Sequence, residues 1–329
     1  MPGIQTTYSQ IKRLLPSQKY NYKTGEVSIR PLMLRYHHCD NNLAEFEKLF
    51  FNGIEEMYKY YDGYKMWLPI SGGKDSRVCL AAFEKLKKNY AVYVFQNKEA
   101  KYAGCYQDLG VSRLLSRTIH RKLIIVYGDS KHMNEEKVTE FEKHTSGLTM
   151  MSPKWQYPCD TLKEIEKSGT HVLQIRNNIW ELVCNDYDHN NVMNTPDKIR
   201  DKWRERNPVF EQSIEEWLKI VENDKVNTSI SFGDRAYWDL RLGCWLADGM
   251  QGFDIFDNIE TINILNCRIF ISLLMELDAK VRGTRSFEVE LTNKWCPAFA
   301  NIPYEEDYQD ITLFIRKWKG KIVRKLKKH

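Results

Sequence analysis

The chain has 329 residues, of which 42% are hydrophobic and 28% charged, and its formal net charge is +5. This length predicts about two domains with a substantial apolar core, and so small a charge excess is no argument by itself for a nucleic-acid partner. The eight cysteines form no C-x-x-C pair, so a zinc or iron–sulfur site of local spacing is unsupported.

The sequence also gives no sign of export or of a membrane span. Residues 1–17 lack the apolar core of a signal peptide. The longest apolar-rich stretch, 264–277, contains Asn266, Arg268 and Glu276, and it is too short to cross a bilayer. We therefore expect a reduced, cytoplasmic protein without a transmembrane segment.

In chain order, the first half predicts an arm and then alternating strands and helices. Residues 1–40 are predicted to form the arm, which includes a strand–turn–strand pattern with Gly25 at the turn. Residues 42–60 have helical spacing. Further strands are predicted at 66–70, 91–95, 122–126 and 171–175, with helices at 78–86 and 106–117. This alternation is typical of an α/β fold, a parallel sheet with helices on both faces.

The second half predicts a mostly helical lobe. Helical spacing recurs at 214–221, at 237–246 and most clearly at 262–277. We expect three parts: the arm at 1–40, an α/β core at 41–190 and the helical lobe at 191–329. The basic, amphipathic tail at 315–329 predicts a packed terminal helix, with contact to a membrane surface or RNA as alternatives.

The most informative motif, residues 71–76, lies between a predicted strand and a predicted helix. Such a turn directs backbone N–H groups and a helix N-terminus toward one point, which favours a bound anion such as phosphate. Its glycines let the backbone approach a ligand closely, its serines add hydroxyl donors, and Asp75 is a candidate Mg²⁺ ligand. The six residues are Ser71, Gly72, Gly73, Lys74, Asp75 and Ser76. Simple helix capping by Asp75 and Ser76 is the alternative.

A strand followed by Ser-Gly-Gly-x-Asp-Ser resembles the pyrophosphate loop of the ATP pyrophosphatases, the superfamily with an adenine nucleotide alpha hydrolase-like fold. Its members cut ATP into AMP and pyrophosphate. The order of later segments resembles the synthetase domain of asparagine synthetase-like proteins. Those segments are 16–31, 174–181, 237–245, 262–268 and 297–303.

The resemblance implies ATP and Mg²⁺ as cofactors and assigns roles to further residues. Residues 71–76 would hold the phosphates. Leu68, Phe95 and Asn97 would border adenine and ribose, although plain core packing is an alternative for Phe95. Asp75 and Glu181 would bind the metal. Arg176 would meet a phosphate or a substrate carboxylate, with a structural ion pair as the alternative. The catalytic residues implied are thus Asp75, Arg176 and Glu181.

The implied activity is that of an AMP-forming amide ligase. It would adenylate a carboxylate, with aspartate as the first candidate, and transfer ammonia or an amine to it. The chain begins Met1-Pro2 and has no cysteine before Cys39, whereas members with a glutaminase half begin with a catalytic cysteine. We therefore expect ammonia to arrive free or from a separate glutaminase. Trp180 stands where an aspartate is expected, and Lys294 is only a weak counterpart of the family's lysine.

Two alternatives remain open. A PP-loop tRNA-modifying enzyme, of the thiolase or lysidine synthetase type, is favoured by Lys74 in the loop and by the basic tail, so tRNA stays open as a partner. A catalytically degenerate ATP-binding protein is suggested by Trp180. Salt-sensitive tRNA binding would distinguish the first alternative, and ATP binding without pyrophosphate release would distinguish the second.

Overall fold

The computed structural model describes residues 3–6, 9–34, 42–97, 103–128, 167–206, 210–247 and 258–309, with three isolated positions between 129 and 166. The tail prediction at 315–329 lies outside the described residues. Among the described residues, no helix is both long and apolar enough to cross a membrane.

A five-stranded parallel sheet organises the fold. Its members are β3 (Lys65–Pro69), β4 (Ala91–Asn97), β5 (Leu123–Gly128), β6 (Val172–Arg176) and β7 (Ile259–Asn263), while β1 (Gln18–Tyr20) and β2 (Val27–Ile29) form a separate antiparallel pair. The spatial order is β5-β4-β3-β6-β7. The strand order reverses at β3, because β4 and β5 extend the sheet on one side and β6 and β7 on the other. The predicted α/β class is confirmed, and the arrangement is compatible with a Rossmann-like fold.

Helices alternate with the strands of this sheet and make up most of the described part of the second half. The first three are α1 (Asn42–Tyr60), α2 (Lys74–Lys85) and α3 (Ala103–Thr118). Next come α4 (Trp180–Val183), α5 (Asp186–His189), α6 (Pro196–Arg206), α7 (Glu211–Glu222) and α8 (Phe232–Ala236). A π-helix (Tyr237–Leu246) precedes β7, and α9 (Arg268–Met275), α10 (Ala279–Thr284) and α11 (Ser286–Trp295) follow it. The predicted helical character of this part is thus confirmed for the described residues.

The prediction of one helix over 262–277 is wrong in its first part. Residues up to Asn263 belong to β7, which pairs in parallel with β6, and helix α9 begins only at Arg268. A short apolar run fits helix and strand spacing almost equally well. The hydrogen bonds to β6 decide the matter, and they depend on tertiary structure.

Alternating side chains place two apolar clusters on opposite faces of the sheet. Met66 and Leu68 of β3 point into the main core, whereas Trp67 joins Tyr93 and Val126 in a smaller cluster. The described helices α1, α2 and α3 contribute to the main core, and the smaller cluster is made of strand residues. The presence of helices on both faces therefore stays a prediction.

Helix α1 buries one apolar face, and aromatic residues of that face pack against Trp180. The rings of Phe46 and Phe50 lie 5.8 and 6.0 Å from that of Trp180. Trp180 is fully buried, and its indole N–H donates to Cys79 Sγ at 3.1 Å. The residue at the expected aspartate position is therefore a core residue, and it brings no charge to the candidate site.

The N-terminal arm packs on the helical part through polar contacts. Gln5 donates to the Glu216 carboxylate at 2.7 Å, Ser17 Oγ donates to Asp239 at 3.0 Å, and the Leu32 N–H donates to Asn227 Oδ1 at 2.8 Å. The contact of Ser17 therefore anchors the arm to the π-helix, which also contributes to a wall of the candidate site.

Candidate active site at the end of the central strand

The loop of residues 71–76 connects β3 to α2 at the point where the strand order reverses. In open α/β sheets, ligands bind in the crevice outside the carboxyl ends of strands at such a point. Helix α2 begins at Lys74 after Gly73, and within the described part of the chain no side chain caps its first turn. Its first N–H groups therefore remain available to an anion.

Hydrogen bonds within the loop fix its two serines against each other. The Ser71 N–H donates to Ser76 Oγ at 3.0 Å, and the two hydroxyl oxygens are 2.9 Å apart. The Gly73 N–H donates to Ser71 Oγ at 3.2 Å. These hydrogen bonds constrain the shape of the loop.

Two chambers meet at this loop. The smaller, of about 300 Å³, lies at the ends of β3, β4 and β6 and is lined by Ser76, Phe95 and Arg176 among others. The larger, of about 960 Å³, extends toward the helical part. Both are lined by Ser71, Asp75, Asp108 and Glu181. These four residues mark the junction where two ligands could react.

Most of the predicted site residues line these chambers. Ser71, Asp75, Ser76, Phe95, Arg176 and Glu181 line the smaller one, and Ser71, Gly73, Lys74, Asp75 and Glu181 line the larger one. Phe95 is 36% exposed, so it has a surface that a ligand can cover. Arg176 Nε donates to Asn178 Oδ1 at 3.3 Å.

Among the described residues, three candidates, Leu68, Gly72 and Lys294, line neither chamber. Leu68 is fully buried in the main core and lines neither chamber, because its side chain points to a face of the sheet and not to its edge. The backbone of Gly72 forms hydrogen bonds with Asp108 and Glu305. Asn97 ends β4, and its side chain lies outside the described residues. Lys294 is exposed and pairs with Glu47 at 2.7 Å, away from both chambers.

Acidic residues that the sequence reasoning missed surround the loop. The Gly72 N–H donates to Asp108 Oδ1 at 2.8 Å, and Lys74 Nζ donates to Glu306 at 2.5 Å. Burial and the neighbouring Asp108 raise the pKa of Glu305. Carboxylates thus occupy two donors that a phosphate would use.

The segment that carries these glutamates is held by Arg77 of α2. Arg77 is fully buried, and its guanidinium donates to the carbonyls of Ile302 and Pro303 at 2.7 and 2.6 Å. It also stacks on Tyr304 with 3.8 Å between the guanidinium carbon and the ring centroid. The Glu305 N–H then donates to Gly72 O at 3.0 Å. No local signal predicts this contact, because its partners are more than 220 residues apart in the sequence.

Asp75 lies beside a second charged pair. Arg285 donates to its carboxylate, and Arg285 Nε also donates to Glu288 at 2.6 Å. Arg285 has φ of +59°, an uncommon conformation for a residue with a side chain, and one that often occurs at functional sites. It too was missed by the sequence analysis.

Glu288 is the one fully buried carboxylate of this group. Burial raises its pKa to about 6. Its Oε1 has no hydrogen-bond partner among the described residues. One carboxylate oxygen each of Asp75 and Glu288 and the Cys184 sulfur all lie within 4.8 Å of one another.

Glu181 faces the junction from α4, where the Tyr237 hydroxyl donates to its carboxylate. Burial and the Glu181 charge raise the pKa of Tyr237, so the phenol keeps its proton. Asp75 and Glu181 therefore present carboxylate oxygens to the same space, and oxygen is the donor that Mg²⁺ prefers.

A scan against profiles of known protein families finds no match for this chain, and a search of curated proteins finds none either.

Proposed function

We propose that the protein is an ATP-dependent, AMP- and pyrophosphate-forming ligase of the asparagine synthetase-like type, with an adenine nucleotide alpha hydrolase-like fold. The observation that supports it best is the position of residues 71–76, which join the central strand to the N-terminus of α2 at the place where two chambers meet. A nucleotide in one chamber and a carboxylate in the other would have their reacting groups side by side.

The smaller chamber suits the nucleoside. Phe95 offers an exposed ring for adenine, and Arg176 lies at the end of β6 where it can meet a phosphate. The phosphates would lie on the N-terminus of α2, and the hydroxyls of Ser71 and Ser76 would donate to them. Leu68 has no part in this arrangement.

Asp75 and Glu181 would hold Mg²⁺, which supplies charge neutralisation to phosphate oxygens. The donor set fits this ion, because both residues offer carboxylate oxygens to the junction. For the ion to bind, Asp75 would exchange its contact with Arg285. Arg285 would then be free to pair with a phosphate oxygen.

In the proposed reaction, a carboxylate oxygen attacks the α-phosphorus of ATP. The bond from that phosphorus to the bridging oxygen breaks, and pyrophosphate leaves with the electron pair. The nitrogen of ammonia or an amine then attacks the acyl carbon, loses a proton, and expels AMP. The protein's contribution is to position the reactants and to stabilise charge on the leaving group.

The contacts of the loop favour a second candidate, an ATP-binding protein without turnover. The Gly72 N–H donates to Asp108, Lys74 pairs with Glu306, and Asp75 pairs with Arg285. This candidate predicts that ATP binds while no pyrophosphate forms.

The test is the release of AMP and pyrophosphate from Mg-ATP, with pooled amino acids and ammonia. For the ligase, both products appear in equal amounts, and Asp75→Asn lowers the rate on the order of 100-fold, as is usual for a group that stabilises transition-state charge. Asp62→Asn, a change at an exposed site, is the matched control. ATP binding by calorimetry without either product, repeated with tRNA present, would reject a ligase that acts on amino acids.

A further inference from the structure

Asp75, Cys184 and Glu288 form a cluster whose side chains come from three separate elements. Asp75 lies in the first turn of α2, Cys184 directly follows α4, and Glu288 lies in α11. Among the described residues, this is the one group of three His, Cys, Asp or Glu side chains whose ligand atoms all lie within 4.8 Å of one another. Cys184 and Glu288 are buried, so the cluster is not a set of surface carboxylates in water.

The two carboxylates of this cluster already hold a positive charge between them. Arg285 donates to Asp75, and its Nε donates to Glu288 Oε2 at 2.6 Å. The other oxygen of Glu288, Oε1, is buried and has no hydrogen-bond partner among the described residues. A buried carboxylate oxygen without a partner is costly, and a bound metal ion would supply one.

Cys184 adds a soft ligand to these oxygens. Its thiol donates to the Trp180 carbonyl oxygen at 3.0 Å. A metal ion that binds a thiol displaces its proton. Thiolate ligands favour Zn²⁺, whereas Mg²⁺ prefers oxygen ligands alone. The sulfur therefore indicates a cation of a different class from the one proposed above for Asp75 and Glu181.

The separations within the cluster suit a single ion after a small movement. Zinc bonds are ~2.0–2.3 Å long, so the ligand atoms around a tetrahedral ion lie about 3.3–3.7 Å apart. Atoms that lie within 4.8 Å of one another need to approach by at most about 1.5 Å, a shift within the reach of side-chain rotation. Asp75 and Cys184 also line the large chamber, which gives the ion a route in and room for a fourth ligand.

Arg285 has room to leave the cluster. Its side chain is 28% exposed and lines the large chamber, so the guanidinium can move into that space while the backbone stays in place. The exchange also conserves charge. Two carboxylates and a guanidinium carry one net negative charge, and two carboxylates, a thiolate and a divalent cation carry one as well.

We propose that Asp75, Cys184 and Glu288 bind a thiophilic divalent cation, of which Zn²⁺ is the type, in place of the Arg285 guanidinium. The Cys184 thiol gives its proton to water as the metal–sulfur bond forms, and nothing is oxidised or reduced. The site needs neither ATP nor turnover. Because Asp75 belongs also to the proposed magnesium site with Glu181, Zn²⁺ competes there with Mg²⁺, and this consequence alone rests on the proposed function.

The test of the sulfur ligand uses Co²⁺, a spectroscopic substitute for Zn²⁺, with the full chain kept reduced. A cobalt–thiolate bond gives a charge-transfer band in the near ultraviolet, and equimolar Zn²⁺ should remove it, because Zn²⁺ binds the same ligands more tightly than Co²⁺. We expect Cys184→Ser to bind one equivalent of Co²⁺ fewer than the wild type, with a correspondingly weaker band. Cys267→Ser, at a partly buried free cysteine outside the cluster, should bind as the wild type does.

Carboxylate variants test the other two ligands. Glu288→Gln and Asp75→Asn should each weaken Co²⁺ and Zn²⁺ binding in calorimetry by at least about tenfold, the smallest loss expected when even a supporting group of a metal site is removed. The matched controls are Glu290→Gln, an exposed glutamate of the same helix, and Asp62→Asn, and both should bind as the wild type does. Circular dichroism should show an unchanged fold, because each amide keeps the shape of the carboxylate that it replaces.

Two results would overturn the proposal. If the wild type and Cys184→Ser bind the same number of Co²⁺ ions with the same band, the metal belongs to other thiols. If Glu288→Gln binds the metal as tightly as Glu290→Gln, the buried carboxylate is not a ligand, and this result decides the matter even where Cys184→Ser does not fold. Release of pyrophosphate from Mg-ATP is measured without Co²⁺ or Zn²⁺, so failure of the ligase proposal and failure of this one are distinguishable.

Discussion

A buried ionic network supports the wall of the large chamber, and its removal should destabilise the protein strongly. Asp239, fully buried in the π-helix, accepts hydrogen bonds from Arg235 Nε at 2.7 Å, Ser17 Oγ at 3.0 Å and Trp217 Nε1 at 3.1 Å. Arg235 also pairs with Asp224. Breaking a buried pair by removing one partner costs ~3–5 kcal/mol. Because Arg235 retains Asp224, we expect Asp239→Asn to lower the free energy of unfolding by about 3 kcal/mol.

The assay is urea denaturation followed by tryptophan fluorescence. The matched control is Glu211→Gln, because Glu211 forms an ion pair with Arg204 at 2.8 Å in which both side chains are about half exposed. Exposed pairs contribute ~0–1 kcal/mol. A loss below about 1 kcal/mol for Asp239→Asn, similar to that of the control, would refute the reasoning that this network anchors the arm and the π-helix.

Three further predictions concern the site. Gly72→Ala should lower the free energy of unfolding by ~1–3 kcal/mol, because its Cβ would lie 2.5 Å from Glu305 Cβ. Gly73→Ala should lower it less, because among the described residues its Cβ would meet no atom nearer than 3.5 Å. Equal urea midpoints for the two variants would contradict this prediction. Burial raises the pKa of Glu288 from 4.5 to about 6, so its stabilising contribution is present below pH 4.5 and is lost as pH rises through 6. In urea titrations at pH 4 and pH 7, the stability of the wild type relative to Glu288→Gln should therefore fall by about 2 kcal/mol, and a constant difference would exclude the raised pKa. Phe95→Ala should weaken ATP binding by about tenfold, the usual cost of a lost base–aromatic contact, with little effect on stability, and unchanged affinity in calorimetry would place adenine elsewhere.

Local sequence patterns were sufficient for most of the sheet. The strands at 66–70, 91–95, 122–126 and 171–175 are found within one or two residues of β3, β4, β5 and β6. Each is a compact apolar run bounded by polar residues, a pattern that depends only on near neighbours. β7 was missed because its five residues, Ile259–Asn263, mix polar and apolar side chains and form no such run.

Some residues of the candidate site could be predicted from the sequence, and others could not. Asp75 and Ser76 could be found from the motif alone, because the loop, the strand before it and the helix after it are contiguous in sequence. Arg285 and Glu305 could not be found, because they reach the loop through the packing of distant segments. Leu68 lines neither chamber, and the motif could not show this, because it predicts the strand but not the direction of the side chain.

The sequence by itself determined the α/β class, the central strand and the loop at its end, because these depend on apolar runs and turn residues a few positions apart. Only the tertiary structure decided which charges surround the loop and how large the adjoining chamber is. Its wall includes Trp203, Tyr237 and Arg241, which come from α6 and the π-helix. Such a wall exists only after separate helices have packed, and its volume leaves no pattern within any one segment.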